Sequence, residues 1–134
     1  MFLQAKKIIT RSDLRNNLGT YYVFGDNMLR KGYGGQAAQM RGEPNAIGIP
    51  TKYAPGIKEE DYFTNESLND PNVREAIESA FLYIERLLSK DCDVVWPANG
   101  IGTGRAELAV RAPLVLKFIN QNFFALAWKY GRVD

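Results

Sequence analysis

The clearest periodicity in the chain lies behind Asp70-Pro71. Val73, Ile77, Ala80, Phe81, Ile84, Leu87 and Leu88 recur there at helical spacing. Asp70 can cap the first turn and Pro71 suits its first position, so the pattern predicts a helix beginning at Pro71. Elsewhere the apolar residues come in short β-branched and aromatic runs. Residues 20–24, between Gly19 and Gly25, residues 46–51 with Pro50 near an end, and residues 92–96 each predict a strand. Residues 2–10 predict a first strand and residues 123–128 a last one. A helix starting at Gln36 is stopped by Gly42 and Pro44, and one over residues 106–122 is interrupted or restarted at Pro113. Residues 52–70 read as a long polar loop carrying Tyr62 and Phe63. Strands alternating with helices point to a layered α/β or α+β fold rather than a bundle or sandwich.

Two glycine-rich segments stand directly behind predicted strands. Gly25-Asp26-Asn27 leads through Gly32-Tyr33-Gly34-Gly35 after Phe24, and Asn99-Gly100-Ile101-Gly102-Thr103-Gly104 follows Trp96-Pro97. Glycine admits positive φ and lets a ligand approach main-chain N–H groups, and loops at the carboxyl ends of strands in an open α/β sheet line one crevice. The two segments therefore predict a phosphate-accepting pocket. Each also reads as an ordinary strand-to-helix turn, with Asn27 tolerated for its turn geometry.

Within this frame Asn27 offers a side-chain amide that both donates and accepts towards a ribose. Asp26, Gly34, Gly35 and Gln36 complete the first candidate binding segment, and Gly102, Thr103 and Gly104 the second. Lys52 ends the 46–51 run. It is either a surface lysine or a cation beside phosphate, and it becomes a nucleophile towards a sugar anomeric carbon if burial lowers its pKa. Glu107 is a candidate base or a helix-terminal acid, and Asp13 either contacts a base or caps a turn.

Composition narrows the chemistry. The 134 residues carry 17 basic and 15 acidic side chains, too even a balance to make nucleic acid the default partner, so nucleic acid enters only as a modified substrate. The densest basic group, Arg30-Lys31 with Arg41, surrounds the first glycine segment. The chain has no histidine, which excludes Ser-His-Asp, Cys-His and histidine-bound zinc sites. The single cysteine, Cys92, forbids an internal disulfide and reads as a small core residue. With no apolar stretch near a membrane span and no secretory pattern, the expectation is one cytoplasmic domain over residues 1–134, with no membrane partner.

Taken together, these residues resemble the macrodomain family of ADP-ribose-binding proteins. The family's early Asp, its Asn-Ala-Ala-Asn stretch and its glycine cluster are similar to Asp13, Gly25-Asp26-Asn27 and Gly32-Tyr33-Gly34-Gly35. Its Ile-Gly-Thr-Gly loop is similar to Ile101-Gly102-Thr103-Gly104, with Ala109 where a proline usually follows. Ile49-Pro50-Thr51-Lys52 resembles the lysine-bearing stretch of the branch that removes terminal ADP-ribose from acidic side chains. That branch's catalytic Asp is matched in position by Ala106, one residue before Glu107. Gln36 stands near the place where the other hydrolytic branch carries its Asp. The resemblance implies a three-layer macrodomain-like mixed sheet flanked by helices. It also implies ADP-ribose or an ADP-ribosylated macromolecule as partner, adenine stacked on Tyr33 or Tyr53, Lys52 attacking the distal ribose, and no metal or other cofactor.

Two further readings stand beside it. Pro97-Ala98-Asn99-Gly100-Ile101-Gly102-Thr103 with Glu107 partly resembles the motif of nucleoside-monophosphate phosphoribohydrolases. A non-catalytic module that sequesters or reads a nucleotide needs only the cradle and no convergence of Lys52 and Glu107.

Overall fold

Strands β1 (Leu3–Lys6), β2 (Thr20–Asn27), β3 (Ala46–Lys52) and β4 (Asp93–Pro97) form one sheet in the order β1-β4-β2-β3. These relations come from a computed structural model that describes residues 3–131. Helices α1 (Arg11–Asn16), α2 (Ala37–Met40) and α3 (Pro71–Ser89) lie in the connections between successive strands, and α4 (Leu108–Arg111) and α5 (Pro113–Tyr130) follow β4. All three strand pairings are parallel, with Leu3 opposite Val94, and Tyr22 opposite both Val95 and Ala46. The mixed sheet expected from sequence is thus corrected to a wholly parallel one among the described residues.

The physical reason lies in residues 123–128, which form the end of α5 and not a closing strand. Val115, Ile119 and Leu126 are buried along that helix, and Phe123 lays its ring 4.4 Å from Trp96. An apolar run that continues a helical stripe stays helical, because breaking it would expose those groups. The first strand is also shorter than expected. It ends at Lys6, Thr10 caps α1 in a reciprocal box with Asp13, and Phe2 lies outside the described residues. The long loop contains two 3₁₀ turns, Glu59–Asp61 and Asn65–Asn69, and Tyr62 bridges back to Lys52.

Strand side chains alternate between two apolar faces. Val23, Val94 and Trp96 pack with α3 and α5, through Ile77, Ile84, Leu88, Val115 and Ile119. Tyr22, Phe24 and Val95 pack on the other face with Leu14 of α1 and Met40 of α2. The helix expected from Asp70-Pro71 is α3, capped by Asp70 and burying the seven periodic residues. Cys92 is half-buried against the first core.

This topology positions the site. β4 and β2 are neighbours, yet the chain after β2 joins the α2 face and the chain after β4 joins the α5 face. Loops that diverge from adjacent parallel strands leave a crevice at their carboxyl ends. Both glycine-rich segments begin there.

Candidate functional site

A cavity of about 540 Å³ runs across the carboxyl ends of all four strands. Lys7 lines it beyond β1, residues 25–27 at the end of β2, Thr51 and Lys52 at the end of β3, and Pro97 at the end of β4. Gly34, Gly35 and Gln36 of the first glycine segment and Gly102, Thr103 and Gly104 of the second share this lining. The approach is close: a Cβ built on Gly25 would lie 3.8 Å from the Gly102 nitrogen.

The first loop is organised by charge. The Asp26 carboxylate is buried, accepts from the Asn27 N–H at 2.8 Å, and pairs with Arg41 at 2.5 Å and Arg30 at 3.2 Å. Gly48 makes room for it, since a side chain there would strike the same carboxylate. Arg41 also donates to the Gly32 carbonyl at 2.7 Å, tying the loop to α2. Asp26 lines the cavity, but its charge is answered from within the protein.

Asn27 serves the turn that follows. Its Nδ2 donates to the Lys31 carbonyl at 2.8 Å and its Oδ1 accepts from the Leu29 N–H at 3.0 Å. The first N–H groups of α2 bond inward and not towards the cavity: Ala37 and Ala38 donate to the carbonyls of Gly34 and Gly35. The Gln36 Oε1 differs, being buried with no hydrogen-bond partner among the described residues. A buried acceptor left unpaired costs free energy, so the Gln36 amide oxygen has hydrogen-bonding capacity to spare beside the cavity.

The second loop keeps its donors. The main-chain N–H groups of residues 101–106 donate to no acceptor among the described residues, whereas Glu107 and Leu108 donate back into the loop. Gly100 and Gly102 have positive φ, 88° and 81°. At Gly102 a side chain would also collide with Leu108, so that glycine is required by the fold itself. Thr103 closes the turn, its Oγ1 donating to the Asn99 carbonyl at 2.8 Å. Gly104 is different: its φ is ordinary and nothing lies within 4 Å of a Cβ placed there.

Lys52 is buried, lines the cavity, and donates to the Gly56 carbonyl at 2.6 Å, with its ammonium 4.3 Å from the Tyr62 ring centroid. Burial pushes its pKa below the ordinary lysine value, and Asp61 partly restores it. Glu107 stands outside the lining. It has left-handed backbone, φ 50°, and an exposed carboxylate paired with Arg111 at 3.2 Å. Asp13 is also outside, pairing with Lys6 at 3.2 Å and capping α1; the Thr10 N–H bond, the largest cause, holds its carboxyl below the usual range. Of the two tyrosines considered for stacking, Tyr33 is exposed on the cavity wall. Tyr53 packs edge-on against Phe63 at 4.8 Å.

Sequence reasoning missed Lys7, Lys31, Arg41 and Arg105 as lining residues. The basic group around the first loop was the available signal for two of them; Lys7 and Arg105 carry no pattern. Among the described residues the lining thus holds five cations, counting Lys52, against the single carboxylate of Asp26.

Comparison with curated proteins and with solved structures finds no match. Over residues 4–122 the chain matches the model of a family of unknown function, DUF7831, and it belongs to that family.

Proposed function

We propose that this protein binds a diphosphate-bearing nucleotide of the ADP-ribose class in the cavity between its two glycine loops. One observation carries the reading. Two glycine-rich loops remote in sequence flank a single cation-rich cavity at the carboxyl ends of parallel strands, with consecutive unbonded N–H groups along one wall. Glycines without side chains, main-chain donors and excess positive charge together suit phosphate oxygens. A volume of about 540 Å³ falls within the range of small-ligand sites, and Tyr33 offers an exposed ring for a base. The motif likenesses at Asn27, Gly34-Gly35 and Ile101-Gly102-Thr103-Gly104 support a macrodomain-like reading, although the sheet is narrower and parallel.

Binding is the core of the proposal, and hydrolysis of an ADP-ribosyl linkage through Lys52 extends it. A buried lysine of lowered pKa on the cavity wall is suited to attack the anomeric carbon as its neutral amine, once Nζ leaves the Gly56 carbonyl. Nζ bonds to that carbon as the bond from it to the departing carboxylate oxygen breaks, after which water displaces Nζ and releases ADP-ribose. Glu107, turned towards Arg111, is outside the lining, and this favours binding over the glutamate-dependent phosphoribohydrolase reading.

Calorimetric titration with ADP-ribose, with AMP as control, tests the proposal. Micromolar ADP-ribose binding, about −8 kcal/mol, with AMP much weaker, is the expected result. Tighter AMP binding would move the site to the phosphoribohydrolase class, and no heat from either would remove the nucleotide. If the wild type releases ADP-ribose from modified protein, Lys52→Ala should abolish turnover while retaining the ligand; continued turnover would eliminate the lysine mechanism.

A further inference from the structure

We infer that Arg105 is the anion clamp of this cavity, reaching from the second glycine loop to the first and closing over the diphosphate of the bound ligand. This deepens the proposed function and rests on it. Arg105 follows Gly104 and lines the cavity. Its guanidinium extends to the opposite wall: a Cβ built on Gly34 would lie 3.0 Å from Nη1 and 3.3 Å from Cζ of Arg105. Gly34 does not have positive φ, so its backbone does not require glycine. What the missing side chain creates is the space in which this guanidinium lies.

Charge and donor capacity point the same way. Arg41 is committed to Asp26 and the Gly32 carbonyl, and Lys52 to the Gly56 carbonyl. Asp26, the only carboxylate of the lining among the described residues, is already answered by Arg41 and Arg30. Arg105 has neither a hydrogen bond nor an ion pair among the described residues. Its planar fork of five donors therefore stands unused between two glycine loops, at the end of a run of unbonded N–H groups. A guanidinium matches two neighbouring phosphate oxygens, which a lysine ammonium does not. The chemistry that fits is a diphosphate, held by main-chain N–H groups below and by the Arg105 fork above.

The test is titration of the full chain with ADP-ribose and, separately, with inorganic pyrophosphate, comparing wild type with Arg105→Ala, Arg105→Lys and Gly34→Ala. Loss of the fork should weaken both ligands by roughly 10- to 100-fold in Arg105→Ala, the factor of a charge-assisted hydrogen bond, with partial recovery in Arg105→Lys. Gly34→Ala should weaken both with the arginine still present, because its methyl occupies the space of the guanidinium and displaces the movable end of that side chain. Unchanged melting temperatures would show that the variants are folded. Wild-type affinities retained in both Arg105→Ala and Gly34→Ala would overturn the clamp while leaving the nucleotide reading intact. Pyrophosphate binding that depends on Arg105, without ADP-ribose binding, would uphold the clamp and overturn the nucleotide. Binding of neither ligand by the wild type would overturn both.

Discussion

Glycines that look alike in sequence do different work in this protein. Gly102 and Gly104 belong to one motif and line one cavity, yet only Gly102 is held by the fold, through positive φ and the packing of Leu108. Gly102→Ala should therefore destabilise by about 1–3 kcal/mol or more, from backbone strain and the displaced Leu108. Gly104→Ala should leave thermal stability unchanged, since its methyl enters open space, and should weaken nucleotide binding by occupying that space. Melting curves and titrations on the two variants separate the roles. If Gly104→Ala binds ADP-ribose normally, Gly104 is only a turn residue. The distinction was not legible in the sequence, where Ile101-Gly102-Thr103-Gly104 is a single pattern. Which side of a loop faces Leu108 and which faces the cavity is decided by tertiary packing. Arg105 was illegible for the same reason, being one arginine whose partner space is made by Gly34 on another loop.

Helices and strands were legible where burial imposes a period. α3 was readable because its seven buried residues form one stripe and Asp70 caps it. The end of α5 was not, because residues 123–128 are apolar enough for either state, and the choice falls to Phe123 packing on Trp96. The short α1 and α2 have no period to read, and long-range charge joins them. Glu43 accepts from Arg11 at 3.0 Å and from Arg15 at 2.8 Å, while Arg11 also donates to the carbonyls of Ala38 and Arg41. Arg15 and then Arg11 hold the Glu43 pKa below its ordinary 4.5. Its contribution to stability is therefore fully present above 4.5 and is lost as pH falls through the lowered folded value. Glu43→Gln should melt below the wild type at neutral pH, and the gap should close in acid. A gap of equal size at both pH values would mean that Glu43 acts through packing rather than charge.

Across the whole molecule, parallel strands and diverging connections gather charge at one end of the sheet. Lys7, Lys31 and Arg105 come from the connections after β1, β2 and β4, and no ion pair among the described residues engages their side chains. The net charge of +2 conceals this, because acidic residues elsewhere balance the sum. A cavity whose lining carries an excess of one sign of charge focuses field at its mouth and raises the encounter rate of an oppositely charged ligand. Salt contracts that field, the Debye length falling from about 30 Å at 0.01 M to about 3 Å at 1 M. If the cavity binds ADP-ribose as proposed, the affinity should consequently fall as salt rises, mainly through a slower association rate. The double variant Lys7→Gln and Lys31→Gln should bind more weakly at low salt and show a flatter salt dependence, approaching the wild type at high salt. Stopped-flow association over a salt series measures both effects. A dissociation rate that carries the whole salt dependence would assign these lysines direct ligand contacts. Affinity indifferent to salt in the wild type would mean that the main-chain N–H groups, and not the cations around them, hold the ligand.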